Sequence, residues 1–268
     1  MPSSAATSTF RLAFWGCCAL ILAYLILPTI LVFPISLGGD SYIRFPPRNL
    51  TLDWYRAYFN DPEWRAATLF SLKIATLSAI TSTVIGTAAS IAMSRGDFPG
   101  RKLLATLVLA PLITPHVVLA LALYFQFAPL GLVGTTFGFV VAHSVLAVPY
   151  VVLMTSAALS GVDPSLEMAA LNLGASRWRV LKEITLPLIA PGIAGGALFA
   201  FLTSFDETVV SFFISGVDSK PITRKIFEDV DFNLTPVIAA VSVVFVVVTI
   251  ALMVAANIVS RGMRRSST

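Results

Sequence analysis

Two adjacent carboxylates, Asp206 and Glu207, stand inside an otherwise apolar stretch of this sequence. An aspartate at the centre of a lipid-facing helix costs roughly 2.5–3.5 kcal/mol on insertion scales. Both side chains are therefore expected to face a bundle interior or a water-filled cavity, where at least one could contact a cationic group of a passing solute. The structural alternative is one interhelical hydrogen bond and one acid near the outer membrane surface.

Three further polar side chains lie in apolar surroundings. Ser204 precedes the two acids, and His116 and His143 fall in other apolar stretches. Ionisable side chains within a membrane span are candidate functional residues. We predict a solute path that contains His116, Ser204 and the two acids. A neutral imidazole bonded to a neighbouring helix is the simpler interpretation of either histidine.

The sequence lacks the motifs of ATP hydrolysis, serine hydrolysis and metal binding. The sequence lacks the G-x-x-x-x-G-K-[ST] loop that cradles ATP phosphates, so the energy for any transport must come from another polypeptide. It also lacks a G-x-S-x-G nucleophile elbow. The histidines and the adjacent pair Cys17 and Cys18 do not have the spacing of metal ligands. We expect no catalytic activity, cofactor or metal in this chain.

The composition indicates how such residues are positioned. Hydrophobic residues make up 57% of the 268 residues and charged residues only 12%, against roughly 25% charged in soluble domains. Too few polar groups remain to cover a surface in water, so a lipid bilayer is the expected solvent. The net charge of +4 is accordingly assigned to cytoplasmic loops rather than to nucleic-acid binding.

Apolar stretches long enough to span a bilayer, about 20 residues each, define the organisation. They are Leu12–Ile35, Ile74–Ser94, Leu103–Phe127, Phe137–Leu159, Leu186–Ile214 and Val237–Val259. We predict an all-α, polytopic membrane helix bundle with about six transmembrane helices and a single domain over residues 1–268. The first stretch exceeds the roughly 7–15 residues of a signal-peptide core, so we interpret it as a retained helix.

Charge distribution predicts the orientation. The short turn after the second stretch and the tail after the sixth are basic, whereas the opposite side also carries many acids. The positive-inside rule then places both termini in the cytoplasm. On the outer side, residues 51–59 have the pattern of a short amphipathic helix at the membrane surface, with Thr51 as its N-cap.

The segment of about residues 160–186 predicts a cytoplasmic helical hairpin. Asp163 and Pro164 are typical of a helix start, and Gly174 of a helix end. Ser176 can cap a second helix, and Pro187 marks the entry to the fifth span. Leu166, Ala169, Ala170 and Leu173 share one face of the first helix. An exposed hairpin with one apolar face is expected to bind a membrane surface, the rest of the protein or a partner's groove.

This hairpin resembles the EAA loop of ABC-importer permeases, whose pattern is EAA, three residues, G, nine residues and I-x-L-P. The sequence has Glu167-Met168-Ala169-Ala170, Gly174 and Ile184-x-Leu186-Pro187 at this spacing, with Met168 as the only departure. The resemblance implies the type I importer permease fold and a coupling helix that docks into a separate ATPase subunit. The residues assigned to coupling are Glu167, Ala169, Ala170, Gly174, Ala175, Arg177 and Trp178.

Three other segments resemble the spermidine/putrescine branch of this family. They are Leu50–Tyr55, Pro111-Leu112-Ile113-x-Pro115 and Ser204–Phe213. The resemblance implies a small polar, possibly cationic solute such as a polyamine. Members of the branch often carry an acid where this sequence has His116, so an opine or an amino-acid-like compound is the alternative solute.

The resemblance also implies the partners. They are a second permease chain, expected to be a non-identical homologue, two ATPase subunits that bind ATP and Mg, and an external or periplasmic solute-binding protein. The expected location is the cytoplasmic (inner) membrane. An ion-gradient-driven secondary transporter is the alternative from a different class, but such proteins usually show internal repeats and more spans.

Overall fold

The fold is helical throughout the part of the chain that the computed structural model describes, which is residues 4–216, 219–232 and 235–265. Among these residues, the β-structure is limited to one isolated bridge between Gly38 and Leu50. This confirms the predicted all-α class. The helices are α1 (Ser4–Ser36), α2 (Asp53–Asn60), α3 (Pro62–Arg95), α4 (Arg101–Ile113), α5 (His116–Phe127), α6 (Thr136–Ser160), α7 (Pro164–Asn172), α8 (Arg177–Val180), a π-helical turn (Leu181–Thr185), α9 (Leu186–Phe205), α10 (Val209–Ile214), α11 (Ile222–Phe232) and α12 (Val237–Arg265).

Four helices in the described ranges are long and apolar enough to cross a membrane. They are Arg11–Ser36, Pro62–Arg95, Thr136–Ser160 and Arg177–Phe205. The pair α4 and α5 counts as a fifth span if it is taken as one broken helix, and α12 contributes a shorter apolar segment, Val237–Ala251. Each predicted apolar stretch therefore coincides with helix, as expected of a polytopic membrane bundle.

The third predicted span, Leu103–Phe127, is not one straight helix. It is bent by 110° between α4 and α5. Thr114 has extended backbone (ψ 131°) and Pro115 follows it. The proline ring disfavours helical backbone at the preceding residue, and proline has no amide hydrogen to continue the ladder. The predicted separation from the next span is confirmed, since Gly131 and Gly134 adopt positive φ.

The fifth predicted span differs from the expectation at both ends. Its C-terminal part breaks at residues 206–208, between α9 and α10, so the stretch Leu186–Ile214 holds two helices. At its N-terminal end, the helix already begins at Arg177 and continues to Phe205. The second helix of the hairpin is thus the start of the span. A π-helical turn at Leu181–Thr185 widens the helix just before Pro187, whose missing amide hydrogen would otherwise break an α-helical ladder.

The chain divides into two compact units. The first comprises Met1–Pro62 and Glu228–Val247. Within it, Trp54 Nε1 donates to the carbonyl of Gly38 (2.6 Å), and the hydroxyls of Ser36 and Tyr55 lie 2.7 Å apart. These bonds fix α2, the predicted amphipathic helix, against the end of α1. Leu52 holds the N-cap position, and Thr51 Oγ1 accepts from the Asp53 amide. The expectation of a single domain over 1–268 stays a prediction.

The second unit, Glu63–Phe227 with Val248–Thr268, contains α3 to α10. Small residues let its helices approach closely, as is usual in membranes. A Cβ on Gly86 of α3 would lie 2.7 Å from Cβ of Val151 on α6. Nearby, the Ser90 hydroxyl lies 3.2 Å from the carbonyl of Val152. Helix α6 in turn packs along α9. Ser78 and Ser90 of the second span thus face α6, whereas Thr76 is exposed and bonds a carbonyl of its own helix.

Candidate functional site

The break between α9 and α10 is held by a buried histidine. His143, on α6, is 1% exposed. Its Nδ1 lies 2.8 Å from Oγ and 3.1 Å from the carbonyl of Ser204, near the end of α9. Its Nε2 lies 3.2 Å from the hydroxyl of Ser211 on α10. A neutral ring with its proton on Nδ1 satisfies these contacts, since a carbonyl can only accept. His143 therefore joins a neighbouring helix to both sides of the break.

Glu207 lies within the break and is buried. Its Oε1 accepts from the backbone N–H of Val210 (2.8 Å), which is an otherwise unsatisfied donor at the start of α10. Its carbonyl accepts from the hydroxyl of Thr223 on α11 (3.0 Å). Glu207 is thus a cap and an anchor for the helices that meet at the break.

The second carboxylate oxygen of Glu207 faces the predicted path residue His116. Oε2 lies 3.6 Å from His116 Nδ1, and the side chains are 5% and 50% exposed, respectively. His116 is the first residue of α5, directly after the proline that bends the third span. The bend therefore brings His116 to Glu207, although 91 positions separate them in the chain.

Asp206 behaves differently from its neighbour. It is the C-cap residue of α9, and its side chain is exposed on this chain. The structure gives the two acids different surroundings, and the expectation that both face a bundle interior or a cavity stays a prediction. One is a buried cap, and the other is available to solvent or to a ligand. The sequence gives no signal for the partners Ser211 and Thr223, because nothing in the local pattern points to contacts across 68 or 16 positions.

The predicted hairpin has the expected caps. Asp163 accepts from the Ser165 amide (2.8 Å), and this bond lowers the pKa of the Asp163 carboxyl. Gly174 adopts φ +87°, the left-handed conformation. The amide of Gly174 donates to the carbonyl of Leu171, and that of Ala175 to Ala170. These two bonds form the Schellman motif. Ser176 then caps the second helix by accepting from the Arg179 amide (3.3 Å).

The hairpin presents apolar residues to solvent. Leu173 is 90% exposed and Trp178 is 70% exposed, and Leu166 and Met168 are also exposed. Between the two helices lies a concave groove of about 300 Å³, lined by both hairpin helices. Ala169 and Arg177 are exposed as well, while Ala170 and Ala175 are half-buried at the groove. Such a patch on an otherwise capped and ordered element is typical of a protein-binding surface.

Glu167 is the exception among the predicted coupling residues. Its side chain is 15% exposed and turns away from the groove. Oε2 lies 3.0 Å from Nε of Arg95, the last residue of α3. Oε1 accepts from the hydroxyl of Thr185 in the π-helical turn (3.0 Å). The first residue of the EAA pattern thus bonds to the body of its own chain.

Comparison with known proteins agrees with this architecture. Residues 82–265 match the family described as "Binding-protein-dependent transport system inner membrane component". The spermidine/putrescine transport system permease protein PotC of Haemophilus influenzae is 30% identical over 241 residues, which is 90% of this chain and 93% of the relative. The putrescine transport system permease protein PotI of Escherichia coli strain K12 is 33% identical over 70% of each chain.

Solved structures give the same fold. A chain of a bacterial ABC transporter involved in the import of the acidic polysaccharide alginate superimposes with a TM-score of 0.76 at 15% identity, covering 97% of this chain and 98% of that one. A chain of the MetNI methionine ABC transporter superimposes with a TM-score of 0.64 at 16% identity, covering 74% and 94%. The protein therefore belongs to the inner membrane components of binding-protein-dependent transport systems and is a multi-pass permease subunit of an ABC importer.

Proposed function

We propose that this permease subunit forms half of the translocation path for a small cationic solute of the polyamine class. In this proposal, a separate ATPase subunit drives transport by docking on the hairpin at residues 160–186. The observation that carries the proposal is the hairpin itself. It is rigidly capped at Asp163, Gly174 and Ser176, yet it leaves Leu173 and Trp178 exposed to solvent.

The docking role rests on surface chemistry. Exposed apolar side chains beside a groove bury well against a partner, and large aromatic residues often dominate such interfaces. Tryptophan and arginine are both enriched among the residues that dominate interfaces, as Trp178 and Arg177 are expected to do here. Ala169, Ala170 and Ala175 let a partner approach the backbone closely. Gly174 sets the angle between the two helices. Glu167 contributes indirectly, by fixing the hairpin to the chain.

The solute class rests on the acid in the break and on the relatives. Asp206 is an exposed carboxylate at the break in the fifth apolar stretch, which is a costly position unless it faces water or a cation. Two relatives that are 30% and 28% identical to this chain carry the name of a spermidine/putrescine transport system. An ammonium group passing the break could pair with Asp206, while Ser204 and Glu207 hold the break in shape.

An amino-acid-like solute, such as an opine, is the second candidate. The observation in its favour is the contact between His116 and Glu207 at 3.6 Å. A half-exposed imidazole beside the path can donate a hydrogen bond to a solute carboxylate, whereas Asp206 could receive its amino group. Because Glu207 contacts His116, the break offers a polycation less negative charge than two unpaired carboxylates would.

We further propose the remaining parts of the assembly. A second, non-identical permease chain supplies the other half of the path, because the spans of one chain are too few to enclose it. Two ATPase subunits bind ATP and Mg, and a solute-binding protein delivers the solute. This chain holds no nucleotide or metal of its own, and both of its termini lie in the cytoplasm.

The test is purification of the assembly from membranes through a tag on this chain. We expect an ATPase subunit to co-purify and the complex to hydrolyse MgATP, whereas the pure chain should not. The complex in liposomes should take up radiolabelled spermidine or putrescine when ATP and the co-purifying solute-binding protein are supplied. Uptake of octopine but neither polyamine would favour the second candidate. Hydrolysis by the pure chain, or uptake without ATP, would contradict the proposal.

A further inference from the structure

The inward bonds of Glu167 connect three elements that are distant in sequence. Glu167 belongs to α7, Arg95 ends α3, and Thr185 lies in the π-helical turn that leads into α9. Arg95 also donates through Nη2 to the carbonyl of Val162, just before α7 (3.3 Å). The hairpin is therefore tied to the ends of two membrane spans at one point.

The burial of this junction protects its hydrogen bonds and its ion pair from screening by solvent. The side chains of Arg95 and Glu167 are 25% and 15% exposed, and Thr185 is buried. A charge-assisted hydrogen bond is about twice as strong as a neutral one, and removing one partner of a buried pair leaves an uncompensated charge. Another ion pair of the hairpin, Arg179 with Glu183, has the same 3.0 Å distance but is mostly exposed, so solvent screens it.

The π-helical turn that precedes Pro187 lies at the same junction. Such turns carry an extra residue at a cost in hydrogen-bond geometry and often mark functional positions. Here the turn contains Thr185, the residue whose hydroxyl reaches Glu167. The irregular backbone and the ion pair therefore coincide at the base of the hairpin.

The other end of α3 leads to the break. Ser71 Oγ accepts from the backbone N–H of Ile222 (2.8 Å), and the next residue, Thr223, donates to the carbonyl of Glu207. Ser71 and Arg95 lie about 36 Å apart along the helix at 1.5 Å per residue. A single continuous helix thus runs from the base of the hairpin to the residues that anchor Glu207.

We propose that Arg95, Glu167 and Thr185 form a latch that makes the hairpin move together with α3, so that docking at the hairpin changes the position of the break. This inference rests on the proposed coupling role of the hairpin. The latch residues are positioning residues, since they act on the path through α3 and not by contact with the solute. Coupling between distant sites commonly passes through rigid elements joined by packed or bonded contacts.

The first experiment tests the latch in this chain alone. Hydrogen–deuterium exchange of the α7 amides is measured in the purified full chain for Arg95→Glu, Glu167→Arg and the double exchange variant. Each single variant should speed exchange about tenfold, and the double variant should return it to within about twofold of wild type. Arg101→Glu is the matched control, because it reverses an exposed charge at the start of α4. A double variant no better than the worse single variant overturns the latch.

The second experiment tests transmission in the tagged complex. Thr185→Val and Thr185→Ser are compared by ATPase recovery and by MgATP hydrolysis per recovered ATPase subunit. We expect both to recover the ATPase subunit, with hydrolysis changed about fivefold or more in Thr185→Val only. Unchanged hydrolysis in Thr185→Val and in Arg95→Glu would overturn transmission.

A different result is expected if the hairpin does not dock an ATPase subunit at all. In that case Trp178→Ala and Leu173→Glu, on the exposed face, would leave recovery of the ATPase subunit unchanged. The exchange measurements on the isolated chain would still report whether the latch exists.

Discussion

Nδ1 of His143 lies 2.8 Å from the hydroxyl of Ser204. This contact joins α6, in the fourth apolar stretch, to the end of α9, where the fifth stretch breaks. The same imidazole reaches Ser211 beyond the break. All three side chains are buried. A helix break in a membrane is stable only where such groups satisfy its backbone and hydroxyls.

His143→Phe should destabilise the chain by about 1–2 kcal/mol, because it fills similar space but leaves two buried hydroxyls without their partner. Thermal unfolding of the purified chain, followed by tryptophan fluorescence, is the measurement. Thr81→Val is the control, since its hydroxyl bonds only the Leu77 carbonyl of the same helix. Equal unfolding temperatures for the two variants would show that the histidine does not hold the break.

The two acids should respond differently to neutralisation. Asp206→Asn should lower polyamine uptake about tenfold or more and leave assembly intact, as expected for loss of a charged contact with solute. Glu207→Leu should lower the yield of folded chain, because Val210 loses its cap. Vesicle uptake and detergent extraction measure the two effects. Normal uptake by Asp206→Asn would remove this residue from the solute path.

Gly174 is predicted to tolerate asparagine but not valine. A Cβ at this position meets no atom within 4 Å, so any cost arises from the backbone conformation and not from crowding. Forcing a β-branched residue into φ +87° costs about 1–2 kcal/mol, whereas asparagine adopts this conformation readily. Gly174→Val should reduce recovery of the ATPase subunit with the tagged chain, and Gly174→Asn should not. Equal recovery would show that the hairpin angle is irrelevant to docking.

Two glycines in apolar helices provide a matched test of helix packing. Gly86→Ala should destabilise the chain by about 1–3 kcal/mol, because its Cβ would lie 2.7 Å from Cβ of Val151 and one helix must shift. Gly16→Ala, with nothing within 4 Å, should not destabilise the chain, because its Cβ meets no atom and alanine favours the helix by roughly 0.5–1 kcal/mol. Thermal unfolding of both variants decides the comparison. A neutral Gly86→Ala would mean that α3 and α6 do not approach this closely.

Orientation can be tested with a reporter that is active only in the cytoplasm. Fused after Thr268, it should be active, since the tail is basic. Inserted between Tyr42 and Ile43, in the irregular segment after α1, it should be silent. The reverse pattern would invert the chain in the membrane, and activity at both sites would contradict the expected five spans between Tyr42 and Thr268.

The sequence by itself determined the features that depend on neighbours along the chain. The caps at Asp163 and Ser176 and the turn at Gly174 follow from bonds and backbone angles within a few residues, so their residue types are sufficient to predict them. The long apolar stretches and the EAA spacing likewise predicted a helical membrane protein and its family before any contact was known.

The tertiary structure decided the roles of residues whose partners are remote. Residue type alone could not tell that Glu207 would be a buried cap and Asp206 exposed, because the difference depends on where α10 and α11 meet the break. Glu167 belongs to a motif assigned to docking, yet its direction is set by Arg95 at the end of another span, 72 positions away. The apolar sequence of a span does not indicate such pairings, because either face of an apolar helix can contact lipid. Only packing between helices decides which face is buried.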